Sequence, residues 1–560
     1  MTAQASRFWT PAPFGDAAPA RRALPTRALV GLLVVLGALG SFSPEIAVTL
    51  HYLWLQDVPV ATLLIVLMVA VFSPVGLSRI ARLPLPSVAL GRRHLVAAVL
   101  GTVLVGALGH HALFAGYALS PDEQRVLMDA HVFASGALTA PAPVTDAPLE
   151  TIRPSLMRVS EDGDRWISVY LPGNAALHAL GLKAGAPWLV APVLAGLALF
   201  ATVGCARQLW PEDRLAGPVA GVFLLTSVQF LATAMTPFAM TAHLAFNMIW
   251  LWLFLKNRPW SHAGAVVLGL FALGLHQYVF HALFAGPILA LLLWRRRWGI
   301  AALYAGAYAA GLLFWLAYPG LVIDEGPSGI QGGFFEHLFS LLAEGWRLAP
   351  TMMAANLLRL VTWQNAVWLP FAALGLVAIA QGRRAEEVAL IAAFVALPVV
   401  AAAVLPNQGM GWGYRYMHGL LGLGALFAAR GYRALSARLP AARILAVGTI
   451  ATLILSSPYL LATASQMTRA FAAADRAVTA LGPGAVVIEA KGLLGSLVRN
   501  GPGAEEQIRL RSTALSEDHP CAAPPESVDD VTHSSLLGGA PLAWRCPSVL
   551  AEAAFQGGTR

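Results

Sequence analysis

The stretch SPDEQRVLMDAHVFASGALTAP, Ser120 to Pro141, holds an adjacent carboxylate pair, Asp122 and Glu123, with a third acid, Asp129, further along. Two uses of these acids compete. In the first, a carboxylate takes the proton of an incoming hydroxyl as its oxygen becomes a nucleophile, which is general-base chemistry. In the second, the acids only shape a helix. Ser120 suits the N-cap and Pro121 the first helical position, while Glu123 falls where its side chain can reach back to the Ser120 amide. Asp122 then complements the positive end of the helix dipole. Val126, Leu127, Ala130, Phe133, Ala134 and Ala137 share one arc at helical spacing, predicting an amphipathic helix lying in a membrane interface plane. Asp122 and Asp129 point along one side of that helix.

What Asp122 can do depends on what holds it. Of 560 residues, 57% are hydrophobic and only 12% are charged. A water-soluble chain of this length exposes far more charge, so the bulk must be dissolved in lipid. Apolar runs recur at roughly 28–48, 58–78, 94–117, 176–204, 215–234, 239–255, 262–277, 279–294, 299–319, 364–381, 387–405, 416–430 and 443–462. At about twenty residues each they are long enough to cross a bilayer, which predicts an all-α polytopic membrane protein with about thirteen transmembrane helices. On one side the short loops carry arginines such as Arg79, Arg82, Arg92 and Arg93, then Arg295, Arg296 and Arg297, then Arg383 and Arg384. The positive-inside bias makes that side cytoplasmic, with residues 1–27 as a cytoplasmic tail. The tail has Pro, Phe and Asp ahead of its Arg pair, unlike a signal peptide. Because the basic residues sit between spans, the net charge of +8 argues for orientation rather than a nucleic-acid partner.

The other side takes the long loops, roughly 118–175 and 320–363, the segment 406–415 and the C-terminal region 463–560. Within that region the run AVVIEA, Ala485 to Ala490, reads as a strand of a small appended domain. Cys521 and Cys546 both fall there, where a disulfide is plausible in an oxidising compartment, while Cys205 reads as packing at a helix end. Their spacing suggests no metal site. His276, Gln277 and Tyr278 occupy a short external turn, followed by His281; they either bond helix to helix or line a polar pocket. Tyr170 and Asn174 either border the same pocket or belong to an ordinary turn at Pro172-Gly173-Asn174.

Read in order, these segments resemble the GT-C membrane glycosyltransferases, in particular the bacterial branch related to protein O-mannosyltransferases and aminoarabinose transferases. The resemblance rests on the acidic pair opening the first large external loop, ASGALTAPAP, and DRWISVYLPGNAALHALG with its Tyr170-Leu171-Pro172-Gly173 entry. It continues through TSVQFLATAMTPFAM, LGLHQYVFHALF and GWGYRYMHG, covering roughly residues 20–460. Two spans precede that of the acidic loop, where many relatives have one. The resemblance implies a GT-C-like fold over 28–462 and a sugar transfer facing the periplasm of a bacterial inner membrane. The donor would be a polyprenyl-phosphate-linked sugar, and the acceptor a hydroxyl of an envelope glycolipid, polysaccharide or protein.

Such a site needs a base, a group for the departing phosphate and an apolar groove. Asp122 matches the first acid of the family pair and is the expected base. Glu123 supports it, or ligates a divalent metal if one is used. Arg415, at an external helix mouth, can hold a phosphate with two prongs or can simply snorkel. Trp412, Tyr414 and Tyr416 around it either contribute to the site or form an interface belt. Two rivals stand beside this reading. An O-antigen ligase or polymerase would instead use His337, Arg347 and Arg359 of the later loop. A lipid or solute transporter would show inverted repeats and charges buried inside spans; the sequence shows no internal repeat and few such charges beyond Glu45.

Overall fold

The computed structural model describes residues 26–46, 48–85, 91–324, 334–502, 507–549 and 551–552, with the side chains of 334–346 outside the description. Most of the cytoplasmic tail expected over 1–27, together with the side chain of His337, therefore lies outside the described residues. The body is a helical bundle. Among the described residues, six helices are long and apolar enough to cross a membrane, or seven if a bent pair counts as one span. Four shorter apolar helices stand among them: Thr26–Gly40, Pro259–Leu273, Tyr278–Trp294 and Trp368–Gly382.

The outer surface follows from the lack of charge. On helix Arg92–Ala112, Leu100, Leu104 and Leu108 form a stripe about 60% exposed, while Thr102, Gly106 and Gly109 face the bundle. A leucine stripe of this kind is a lipid-facing surface. Inside, small residues let backbones approach: a Cβ on Gly431 would come within 2.8 Å of the Gly375 nitrogen where Trp368–Gly382 crosses Leu421–Ser436.

Several expected spans are not single straight helices. The run at 176–204 is divided between Gly173–Lys183 and Val190–Leu209, with a 3-10 turn at Pro187–Leu189 between them. That at 215–234 is the bent pair, Ala216–Leu225 and Val228–Ala234 at 64°, its second half capped by the Ser227 hydroxyl. At the break the Gln229 backbone amide donates to the Trp363 carbonyl at 3.2 Å and its side chain to the Tyr414 carbonyl at 2.8 Å, so the interrupted backbone is met by protein rather than lipid. The expected second external loop, 320–363, is largely one long helix, Phe334–Thr362, packed against Thr26–Gly40 and Ala385–Val404. Arg359 on this helix is buried and ion-paired with Asp57 at 3.1 Å, with Thr362 donating to the same carboxylate. It stacks over the Tyr52 ring at 4.1 Å. Arg359, placed in an external loop by the ligase or polymerase reading, is instead a strut inside the bundle. Glu45 likewise lies outside any helix and is exposed.

The last helix runs from Ala441 to Thr479, 39 residues with a π-helical turn at Thr452–Ser456, well past 462. It delivers the chain to a four-stranded sheet ordered Gln507–Arg511, Gly484–Ile488, Pro541–Arg545 and Val531–His533. The run AVVIEA supplies the second of these strands. Cys521 and Cys546 are joined by a disulfide with Cα atoms 5.5 Å apart, beside the buried Trp544. Cys205 is buried in its helix, as expected of packing.

The loop after the third span folds against this sheet. It contains helix Pro121–Ala134 and a three-stranded antiparallel sheet in the order Ala140–Pro141, Arg165–Ser168, Met157–Val159. A further strand, Val144–Thr145, pairs with Ala551–Glu552. The helix does not lie on an interface. Asp122, Arg125 and Asp129 are as buried as Val126 and Ala130, because protein covers its polar side as well as its apolar one.

Candidate active site

Local chemistry sets the direction of the acid pair. Ser120 is extended (φ −89°, ψ 155°), and its hydroxyl accepts from the Glu123 amide at 3.2 Å. The Glu123 carboxylate accepts from the Ser120 amide at 2.8 Å, completing a capping box with Pro121 at the first turn. Glu123 is thereby turned back into the cap, and Asp122 is aimed the other way. There one of its oxygens accepts from the Tyr170 hydroxyl and the other from the Arg415 guanidinium.

Tyr170 reaches that place through backbone pairing. Leu171, Gly173 and Asn174 donate their amides to the carbonyls of His276, Gly274 and Leu275 at 3.0, 2.8 and 3.0 Å. The Tyr-Leu-Pro-Gly entry and the short turn before Tyr278 are thus zipped together, laying the Tyr170 ring on the His276 ring at 3.8 Å. Gly173 makes this possible, since a Cβ there would meet the Gly274 carbonyl at 2.7 Å.

Arg415 ends a glycine-rich loop with positive φ at Gly409, Gly411 and Gly413. Its amide donates to the Gln408 side chain at 2.8 Å, and its guanidinium lies 5.3 Å from the Tyr416 ring and 5.7 Å from Phe238. The Tyr416 hydroxyl donates to the Asn407 carbonyl at 3.1 Å, bracing the loop across its base.

The charges are set by these neighbours. Burial pushes Asp122 up, but Arg415, His276 and the hydrogen bonds from Tyr170 and Arg415 together hold it below the usual carboxylate range. Glu123, adjacent in sequence, is pushed up by burial to about 7. His276 is pushed down by burial to about 4, so its imidazole is neutral at pH 7. The pair of acids is thus split, one held as the anion and the other poised to be neutral.

Four of the expected site residues therefore meet: Asp122, Tyr170, His276 and Arg415. Glu123 adjoins them from within the cap, and Gln277 sits half-buried at the N-cap of Tyr278–Trp294. Two others lie elsewhere. Asp129 is bonded to Ser168 and attracted by Arg125, and burial pushes it up to about 6. Tyr414 is fully buried, its hydroxyl on the Met353 sulfur at 3.6 Å. Asn174 donates to the Pro237 carbonyl at 3.0 Å, and Trp412 stacks on Phe114 at 5.4 Å inside the bundle rather than in a belt. His281 is held between Asn247 and Tyr308, both at 2.8 Å, the helix-to-helix bonding considered for it. Sequence reasoning missed Gln408, which positions the Arg415 backbone, and Arg125, buried one turn along from Asp122. An arginine inside a stretch read as an interfacial helix was the available signal for the latter.

No family model and no curated protein matches the chain. Solved structures similar to it include the crystal structure of ArnT from Cupriavidus metallidurans bound to undecaprenyl phosphate. That match has a TM-score of 0.44 and 15% identity, covering 73% of this chain and 75% of that one. The apo state of the same protein gives a TM-score of 0.43 at 12% identity, covering 73% of this chain and 85% of that one. Arabinosyltransferase EmbB from Mycobacterium smegmatis gives 0.36 at 16% identity, covering 67% of this chain and 34% of that one. All three are similarities at 16% identity or less.

Proposed function

We propose that the chain is an integral-membrane glycosyltransferase moving a sugar from a polyprenyl-phosphate-linked donor to a hydroxyl of a cell-envelope acceptor on the periplasmic side. The observation that carries this reading is the meeting of Asp122 with Arg415, Tyr170 and His276, from four separate segments, where the acidic helix covers the helical bundle. A carboxylate and a guanidinium in contact are the base and the phosphate clamp that such a transfer requires.

The resting ion pair gives the order of events. The donor phosphate competes for the Arg415 guanidinium, whose forked donors suit phosphate at least as well as carboxylate. Asp122, released from its strongest partner, becomes the better base. It takes the proton of the acceptor hydroxyl while that oxygen bonds to the anomeric carbon. The bond from that carbon to the lipid phosphate oxygen breaks, and its electron pair stays on the phosphate beside Arg415. The Tyr170 hydroxyl holds Asp122 by a hydrogen bond and neutral His276 backs the Tyr170 ring, neither adding charge. Glu123 acts through the cap, fixing where Asp122 sits.

The test is mass spectrometry of envelope glycolipids, polysaccharides and glycoproteins from cells with and without the protein, complemented by wild type or Asp122→Asn. The expected result is a glycan lacking one sugar, restored by wild type and not by Asp122→Asn. An unchanged glycan profile, or full restoration by Asp122→Asn, overturns the assignment. The same comparison yields the sugar and the acceptor.

A further inference from the structure

A cavity of about 240 Å³ lies between the acidic helix and the C-terminal region, and none of Asp122, Tyr170, His276 and Arg415 lines it. In the same measure a single water needs only ~10–15 Å³, so the space suits a larger ligand. Its wall carries Arg125 and Met128 from the helix, Asp475 from the long last helix, and Arg499 and Arg509 from the C-terminal region.

Three guanidiniums here do not share one environment. Arg509 is satisfied by Asp475, Thr479, Gln507 and the Leu497 carbonyl. Arg499 lies 3.6 Å from the same Asp475, donates to the Ala118 carbonyl at 2.6 Å and covers the Tyr117 ring at 4.1 Å. Asp475 is therefore already taken by two cations. Arg125 is 2% exposed, yet its Nε has no hydrogen-bond partner among the described residues and its Nη1 finds only the Met128 sulfur at 3.5 Å. Asp129, the acid that attracts it, is bonded to Ser168. A buried guanidinium left this way costs free energy unless an anion completes it. Nothing in the reaction of Asp122 uses it.

We propose that this cavity is a second ligand site, in which Arg125 with Arg499 holds the phosphate or carboxylate of an acidic saccharide. Resting on the transferase reading above, the saccharide is part of the acceptor, and the site keeps it in register with the hydroxyl presented to Asp122. The binding step itself needs no turnover, so it can fail or stand independently of that reading.

The test is equilibrium binding to the full-length protein in nanodiscs of zwitterionic lipid, using glucose 1-phosphate, glucuronate and glucose as probes. Hydrogen exchange of 121–134 and 496–502 serves as a second readout. The expected result is saturable binding of one or both acidic probes, weakened by salt, with protection of both segments and none from glucose. Arg125→Gln should weaken it about tenfold or more, the loss of one charge-assisted bond, while Arg125→Lys keeps part of it. Asp122→Asn should bind as wild type does. Binding of glucose equal to that of the acids, binding unchanged in a folded Arg125→Gln protein, or no saturable binding overturns the proposal. Protection produced only by adding anionic lipid to the nanodiscs assigns the cavity to a headgroup and also overturns it.

Discussion

At the scale of residues, the informative contrast is between two adjacent acids that share a helix turn and nothing else. Asp122→Asn removes the proton acceptor but keeps the shape, so transfer should fall by a factor of ~10²–10⁴ in protein that still folds, checked by turnover in proteoliposomes. Glu123→Gln can still accept the Ser120 amide, so its rate should stay within about tenfold of wild type. Glu123 also predicts a pH dependence. Its folded value, about 7, is raised above the ordinary 4.5. Stability from this group is therefore complete below about 4.5 and lost as pH rises through about 7. Asp129, raised to about 6, acts in the same direction, while Asp122, held low, contributes stability that is lost only in stronger acid. Hydrogen-exchange protection of Pro121–Ala134 should fall on the order of tenfold from pH 5 to pH 8, and Glu123→Gln should flatten most of that fall. Glu123 could be read from its spacing to Ser120, because a capping box is local. The pairing of Asp122 with Arg415 could not be derived that way, because 293 residues separate them and only the bundle brings them together.

At the scale of elements, the site depends on one backbone zipper and one buried strut. Gly173→Ala pushes a Cβ toward the Gly274 carbonyl and should separate Tyr170 from His276. The expected cost is about 1–3 kcal/mol, with transfer reduced more than stability, measured by turnover beside thermal unfolding in detergent. The Asp57–Arg359 pair joins the π-helical segment Leu53–Asp57 to Phe334–Thr362. Arg359→Ala strands a buried carboxylate and should destabilise by about 3–5 kcal/mol, whereas Asp57→Asn with Arg359→Met should recover most of the loss and retain transfer. A ligase using Arg359 directly would lose activity in both proteins. Most apolar runs could be read as helices because hydrophobicity is local to each run. The two breaks, near Lys183–Pro187 and at Thr226–Ser227, and the helix in place of the loop at 334–362 depend on neighbours that no single run displays.

At the scale of the whole molecule, the C-terminal region and the last helix are bonded to the chain that enters the acidic helix. Arg499 holds the carbonyl of Ala118 just before the acidic helix, and Arg469 and Ser465 of the last helix donate to carbonyls that end Arg92–Ala112. Its disulfide joins residues 25 apart in sequence, which constrains the unfolded chain by about 2–4 kcal/mol. A thiol-reactive polyethylene glycol applied to the denatured, unreduced protein from membranes should label Cys205 alone, and all three cysteines after reduction. Labelling of Cys521 and Cys546 without reduction would place that region in a reducing compartment. The strand AVVIEA was visible in the sequence; its partners, drawn from 507–511 and 541–545, were not, since pairing over that separation leaves no local trace. The long helix from Ala441 to Thr479 has a further consequence. At about 1.5 Å per residue its 39 residues make a rod of nearly 60 Å, rooted in lipid and ending under the sheet. A rod of that length converts a tilt of about ten degrees at its base into a swing of about ten ångströms at its tip. Asp475, near that tip, pairs with both Arg499 and Arg509, so the packing that fixes the tilt of the rod also fixes the width of the chamber beside it.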